Sequence, residues 1–259
     1  HSLALVSKLW RDASKPAAAY PRVFDFDAVY TWTRIDPIMS MMNNDEALSL
    51  PYERVVGLLG GAAENVCTYA AMRGSVRLLK WTRENNRPWA YDACICAARN
   101  GHLPALKYLH ENGCPWDLHT CNYAAQYGHL PVLQYLHENG CPWNSLTCNC
   151  AAGNGHLPVL QYLHENGCPW DMDTCSSAAR NGHLPALKYL HENGCPWNSN
   201  TCSSAALHGH LPALKYLHEN GCPWNSNTCH RAAHYEQWDC LQYAVDNKCE
   251  GYLKYYAEW

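Results

Sequence analysis

The sequence has no basic stripe. Between Cys94 and Thr228 five Lys and Arg stand against eight Asp and Glu, and the whole 259-residue chain carries a formal charge of −4. Binding a phosphate backbone or an anionic bilayer surface normally needs concentrated positive charge. Neither nucleic acid nor a membrane surface is therefore an expected partner. No apolar run reaches the roughly 18 residues that suggest a membrane-spanning helix, so membrane insertion is not expected either. The chain opens at His1, not Met, and without the basic, apolar and small-residue regions of a signal peptide, which leaves open whether residues precede it. Phenylalanine is scarce, two residues against 11 Trp and 17 Tyr. No Ser or Cys sits in a nucleophile signature. Gly57, Gly60 and Gly61 lack the following Lys-Ser/Thr of a phosphate-binding loop. The sequence thus offers no catalytic residue and no cofactor site, and it reads as a non-enzyme.

What is abundant is repetition. The stretch Gly101-His102-Leu103-Pro104-Ala105-Leu106-Lys107-Tyr108-Leu109-His110-Glu111-Asn112-Gly113-Cys114-Pro115-Trp116 returns in near copies from Gly128, Gly155, Gly182 and Gly209, at a period of 27 residues. A fixed period of this size marks a solenoid, which grows by adding units and not by enlarging one core. Seven units follow in register: 67–93, 94–120, 121–147, 148–174, 175–201, 202–228 and 229–255. The outer two exchange apolar for polar residues, as caps must. The first has Arg87-Pro88-Trp89 where the others have Cys-Pro-Trp. The last has Glu236-Gln237-Trp238-Asp239.

Within the unit 121–147, Thr120 suits the N-cap of a short helix. Ala124-Ala125 permits close approach of neighbours, and Gly128 can end the helix in the left-handed conformation. A second helix is expected from about Pro131, since a first-turn proline costs no hydrogen bond. Its apolar stripe is Leu130, Leu133 and Leu136 with Val132. Gly140, Cys141 and Pro142 then form a stop signal. Trp143 is free to fold back over the helix pair, and Asn144-Ser145 reads as a turn. Neither helix is long enough to be stable alone, so stacking must hold them.

The order T-C-x-x-A-A-x-x-G-H-L-P-[AV]-L-[KQ]-Y-L-H-E-N-G resembles an ankyrin repeat over residues 67–255. The units are six residues shorter than the usual 33, and most of the loss falls after Gly113 and its equivalents. The resemblance implies an all-α solenoid of stacked helix-turn-helix repeats with short Cys-Pro-Trp loops, acting as a protein-binding scaffold. Ahead of the array, Leu50-Pro51 and Val55 to Gly61 read as a degenerate N-cap helix over 50–66. Residues 1–49 read as a helical segment with loops. Within it, Leu3-Ala4-Leu5-Val6-Ser7-Lys8-Leu9-Trp10-Arg11 resembles the C-terminal end of an F-box. That resemblance implies a substrate receptor of a ubiquitin ligase as a second reading.

The 16 cysteines fall mostly at two repeat phases, Cys67 to Cys229 and Cys114 to Cys249. Same-phase residues of stacked helices sit about 8–10 Å apart, beyond the roughly 7 Å Cα separation of a disulfide. Same-phase thiols should stay unpaired, which points to an intracellular, reducing compartment, cytoplasm or nucleus. Pairs across the two phases remain open. Zinc would need four converging ligands, usually announced by C-x(2–4)-C. The spacing here is C-x6-C, so no metal site is expected. A metal- or redox-responsive cysteine array is a third reading.

The histidines form two ladders. His102, His129, His156, His183 and His210 follow the glycine, where the resemblance implies hydrogen bonds tying adjacent loops. His110, His137, His164, His191 and His218 lie late in the second helix, where His is favoured. The Trp series from Trp89 to Trp224 reads as a cover for the core. Variation is concentrated elsewhere: at Asn122-Tyr123, Asn149-Cys150, Ser176-Ser177, Ser203-Ser204 and His230-Arg231, and at Arg99-Asn100, Gln126-Tyr127, Gly153-Asn154, Arg180-Asn181, Leu207-His208 and His234-Tyr235. These bracket the short helix, the concave side in ankyrin-like stacks. The strip is expected to meet a protein partner through Tyr123, Gln126, Tyr127, Arg180 and His208, with Tyr and Arg foremost because they dominate binding hot spots.

Overall fold

The computed structural model describes residues 66–251. The F-box-like piece, the segment 1–49 and the cap helix over 50–66, apart from its last residue, lie outside the described residues, as do 252–259. Among the described residues there are fourteen α-helices and no strand, which confirms the all-α solenoid.

The helices come in pairs. The first helix of each unit is α1 (Val66–Met72), α3 (Ala93–Arg99), α5 (Leu118–Gln126), α7 (Ser145–Gly153), α9 (Met172–Arg180), α11 (Ser199–Leu207) or α13 (Ser226–His234). The second is α2 (Val76–Glu84), α4 (Leu103–Glu111), α6 (Leu130–Glu138), α8 (Leu157–Glu165), α10 (Leu184–Glu192), α12 (Leu211–Glu219) or α14 (Trp238–Asp246). Two compact bodies are distinguished: 66–96 with 104–114, and 97–103 with 115–251.

In the smaller body Leu78, Leu79, Leu106 and Leu109 are almost fully buried. Thr68 Oγ1 donates to Asp92 Oδ1 at 2.7 Å, and Trp89 Nε1 donates to the Asn112 carbonyl at 2.9 Å. Trp89 also meets the Tyr108 ring edge-on at 6.2 Å.

In the larger body the first helices start earlier than the Thr pattern suggests. The N-cap of α5 is Asp117, and Thr120 lies at the third helical position. The Asp117 side chain accepts from the His119 N–H at 2.9 Å, while Thr120 Oγ1 accepts from the Asp117 N–H at 3.4 Å. Asn144 with Thr147, Asp171 with Thr174 and Asn198 with Thr201 repeat this reciprocal cap. The assignment of Thr120 as N-cap is thereby corrected, and so is the Asn144-Ser145 turn, which is a helix start. The cause is that an Asx residue three positions upstream offers a better first acceptor.

Pro131 stands in the first turn of α6, after an N-cap, His129, that makes no side-chain bond. Val132, Leu133 and Leu136 are buried as expected, whereas Leu130 is only half-buried. Most helices close on a left-handed glycine, while α2, α13 and α14 close on left-handed Asn86, Glu236 and Lys248. At the end of α6, Cys141 N–H donates to the Leu136 carbonyl at 2.9 Å and Gly140 N–H to that of His137 at 3.0 Å. This is the double bond pattern that a left-handed residue past the helix end permits. Nine-residue helices fall short of the roughly 12–15 residues that an isolated helix needs. The stack supplies the difference, since fully burying a leucine is worth about 2 kcal/mol.

Candidate functional site

Most of the repeated polar side chains turn out to be joinery between units. His129 Nε2 donates to the Arg99 carbonyl and His156 Nε2 to the Gln126 carbonyl, each at 3.0 Å. The loop-tying expectation for this ladder therefore holds at these positions. The second His ladder does more than sit at a helix end. The His137 ring stacks on Trp143 of its own unit at 3.9 Å, and its Nδ1 accepts from the Tyr162 hydroxyl of the next unit at 3.0 Å. His164 with Trp170 and Tyr189, and His218 with Trp224 and Tyr243, repeat the arrangement. Trp143 also reaches across, meeting Tyr162 edge-on at 6.3 Å. It therefore bridges two units, where the sequence suggested a cover for one. Burial pushes the Tyr162 and Tyr189 hydroxyls above the ordinary tyrosine value, so both remain hydrogen-bond donors.

All 16 cysteines are free thiols, and all but Cys150 are buried. Cys141 Sγ lies 3.2 Å from the Asp117 carbonyl of the preceding loop, and Cys168 Sγ lies 3.3 Å from that of Asn144. The adjacent Cys141 thiol and burial push the Cys121 thiol up, and burial lifts Cys67 and Cys240 to about 11. Thiolate is the form that binds metal or attacks, and it is disfavoured at these three positions, whereas hydrogen bonding with the Cys94 and Cys249 thiols holds Cys114 and Cys229 below the ordinary value. Among the described residues no group of three or more His, Cys, Asp or Glu is placed to hold a metal ion.

The variable positions divide into two classes. The residue directly after the first-helix cysteine packs toward the neighbouring unit in the middle repeats, while His230 in the last one is exposed. Asn122, Ser176 and Ser203 are buried, and Thr147 Oγ1 donates to Asn122 Oδ1 at 2.6 Å. Thr174 makes the same bond to Asn149, and Ser176 pairs with Thr201 at 3.2 Å. Asn122, Asn149, Ser176 and Ser203 join or pack between repeats and are removed from the partner strip. The remaining columns face outward at most positions, although Cys96 and Ser204 in the column of Tyr123 are buried. Tyr123 and Gln126 are half-buried, Tyr127 is 39% exposed, and Arg180 and His208 are exposed.

Tyr123 in the last turn of α5 and Tyr127 at its C-cap are one turn apart, and Arg99 joins them. Its guanidinium lies 5.7 Å from the Tyr123 ring centroid and 5.2 Å from that of Tyr127, and Nε donates to the Tyr127 hydroxyl at 3.1 Å. Arg99 was not among the expected anchors. The signal was its place one repeat before Gln126, which puts it beside α5. Arg180 lies two units beyond Gln126 in the same column, and His208 three units beyond Tyr127. His208 Nδ1 lies 3.1 Å from the Ser204 carbonyl, and its ring is nearly parallel to that of His210 at 6.3 Å. The five expected anchors therefore form a line along the first helices and do not converge on one pocket. No described helix is long and apolar enough to cross a membrane.

Comparison with known proteins agrees with this architecture. Family profiles for ankyrin repeats match residues 93–137, 121–164 and 148–228, together just over half of the chain. A similar solved structure is the crystal structure of the human ASB11 ankyrin repeat domain. It shares 18% sequence identity and a TM-score of 0.52, covering 61% of this chain and 84% of that one. No curated protein matches the sequence. Paired nine-residue helices, left-handed glycine stops, interlocked loop histidines and the matched profiles converge on one conclusion: the chain belongs to the ankyrin-repeat family.

Proposed function

We propose that the chain is a non-catalytic protein-interaction scaffold. Its partner lies along the outward side of α5, α7, α9 and α11, with Tyr123, Gln126, Tyr127, Arg180 and His208 as anchors. One observation carries this reading. The near-invariant His, Trp, Tyr, Thr and Cys positions are occupied by contacts within the stack. The outward columns differ from unit to unit and contain the half-exposed and exposed residues Tyr123, Tyr127, Arg180 and His208. A scaffold keeps its joinery constant and changes its contact face, and this chain does both. The buried thiols support placement in a reducing compartment.

The test is a pair of single variants, Tyr127→Ala and Arg180→Ala, compared with the wild type for retention of proteins from native extract and for thermal unfolding. Hot-spot truncations cost about 2 kcal/mol or more, roughly thirtyfold in affinity. The reading predicts loss of the retained partner with an unchanged melting temperature. Retention equal to the wild type by both variants would remove the strip from consideration.

A further inference from the structure

The outward columns of the first helices carry one sign of charge. They hold Arg99, Arg180 and Arg231, together with His208 and His234, and no Asp or Glu. The chain as a whole is acidic, at −4. Its repeat-borne carboxylates sit elsewhere: Glu138, Glu165, Glu192 and Glu219 are exposed at the ends of the second helices. Asp117 and Asp171 are held at the N-caps. The single sign belongs to the outward columns alone: exposed Asp173 stands in the first turn of α9, and the second helices carry Lys107, Lys188 and Lys215 beside their glutamates. We infer that the strip receives an extended peptide segment rich in Asp and Glu. The inference rests on the strip being the partner surface and specifies that partner's chemistry.

Three features favour this occupant. First, all three strip cations are arginines, whose planar fork grips a carboxylate through two hydrogen bonds. Second, Arg99 is already held over two tyrosine rings and bonded to the Tyr127 hydroxyl, so little of its side-chain freedom remains to be lost on binding. Arg180 is exposed. Third, the spacing suits an extended chain. Arg99 and Arg180 are three units apart, about 25–30 Å at the usual helix spacing. An extended chain covers that in roughly eight or nine residues. A nucleic-acid strand fits less well. Its phosphates would far outnumber three widely spaced cations, and such binding depends on neutralising many of them.

The test uses the full chain and a library of synthetic peptides graded by net charge, read by fluorescence anisotropy. The panel includes Asn/Gln counterparts of each acidic peptide and a single-stranded oligonucleotide. The inference predicts binding of acidic peptides, at least tenfold weaker binding of their amide counterparts, and affinity that falls as salt rises. Arg180→Glu should lose at least tenfold, while Lys188→Glu, on a second helix and exposed, should not. Equal binding of acidic and amide peptides overturns the inference, as does tighter binding of the oligonucleotide. Equal loss in both charge variants does the same. Should no acidic peptide bind while Tyr127→Ala still abolishes capture of the native partner, the strip stands and its charge preference falls. Capture that survives both strip variants removes the surface itself.

Discussion

Gly128 meets two demands at one position. Its φ of +76° is left-handed, and a Cβ built there would lie 2.6 Å from Nδ1 of the His156 ring. Gly140 has the same φ, but a Cβ there meets nothing within 4 Å. A left-handed residue other than glycine costs about 1–2 kcal/mol. Gly140→Ala should lose about that amount, and Gly128→Ala distinctly more, because the imidazole must also move off its 3.0 Å bond to the Gln126 carbonyl. Urea unfolding of both variants checks the order, and equal losses would contradict the close-approach account. The need for a helix stop at Gly128 was legible locally. The ring that occupies its missing side chain was not, because it comes from the next unit. His210 offers a pH test of the same ladder. Burial holds its imidazole below the ordinary value, outweighing the opposing hydrogen bond to the Arg180 carbonyl. With the folded pKa below an unfolded value of about 6.5, the unfolded chain takes up the proton first. The His210 contribution is therefore complete above about pH 6.5 and is lost as pH falls through the folded pKa. The melting temperature should fall over that range, and His210→Gln, the residue found one unit on at Gln237, should remove part of the slope. An unchanged slope would show that His210 does not titrate as the fold requires.

At the scale of elements, each first helix depends on the one before it. Thr147 is the shared part: its hydroxyl accepts from the Asn144 N–H at 3.3 Å and donates to Asn122 at 2.6 Å. Thr147→Val keeps the shape and removes both bonds. Loss of the cap contributes about 1 kcal/mol, and leaving the buried Asn122 carboxamide unpaired adds roughly 1–3 kcal/mol. Thr147→Ser, which restores the hydroxyl, should recover most of the loss in urea unfolding. Recovery by Ala instead would place the effect in packing. The sequence made the helix pairs plain through Ala-Ala, the Leu stripe and the two glycine stops. It misplaced the start of the first helix by three residues, because Thr120 alone looks like a cap until Asp117 is seen to be the better acceptor. It also could not separate Asn122 from Tyr123. Both vary between units, and only the direction of each side chain shows that one joins repeats while the other faces outward.

At the scale of the whole array, stability is a sum of short units and their interfaces. Leu163 is fully buried in α8, and Leu163→Ala should cost about 2–5 kcal/mol. The strip residues carry no such weight, and this separation is what makes the proposed function testable. The most direct measurement is partner capture by a single variant with Tyr123, Gln126, Tyr127, Arg180 and His208 all replaced by alanine, alongside its urea unfolding curve. The account predicts an unfolding midpoint close to the wild type and loss of the captured partner. A folded variant that retains the same partner with undiminished affinity would contradict it.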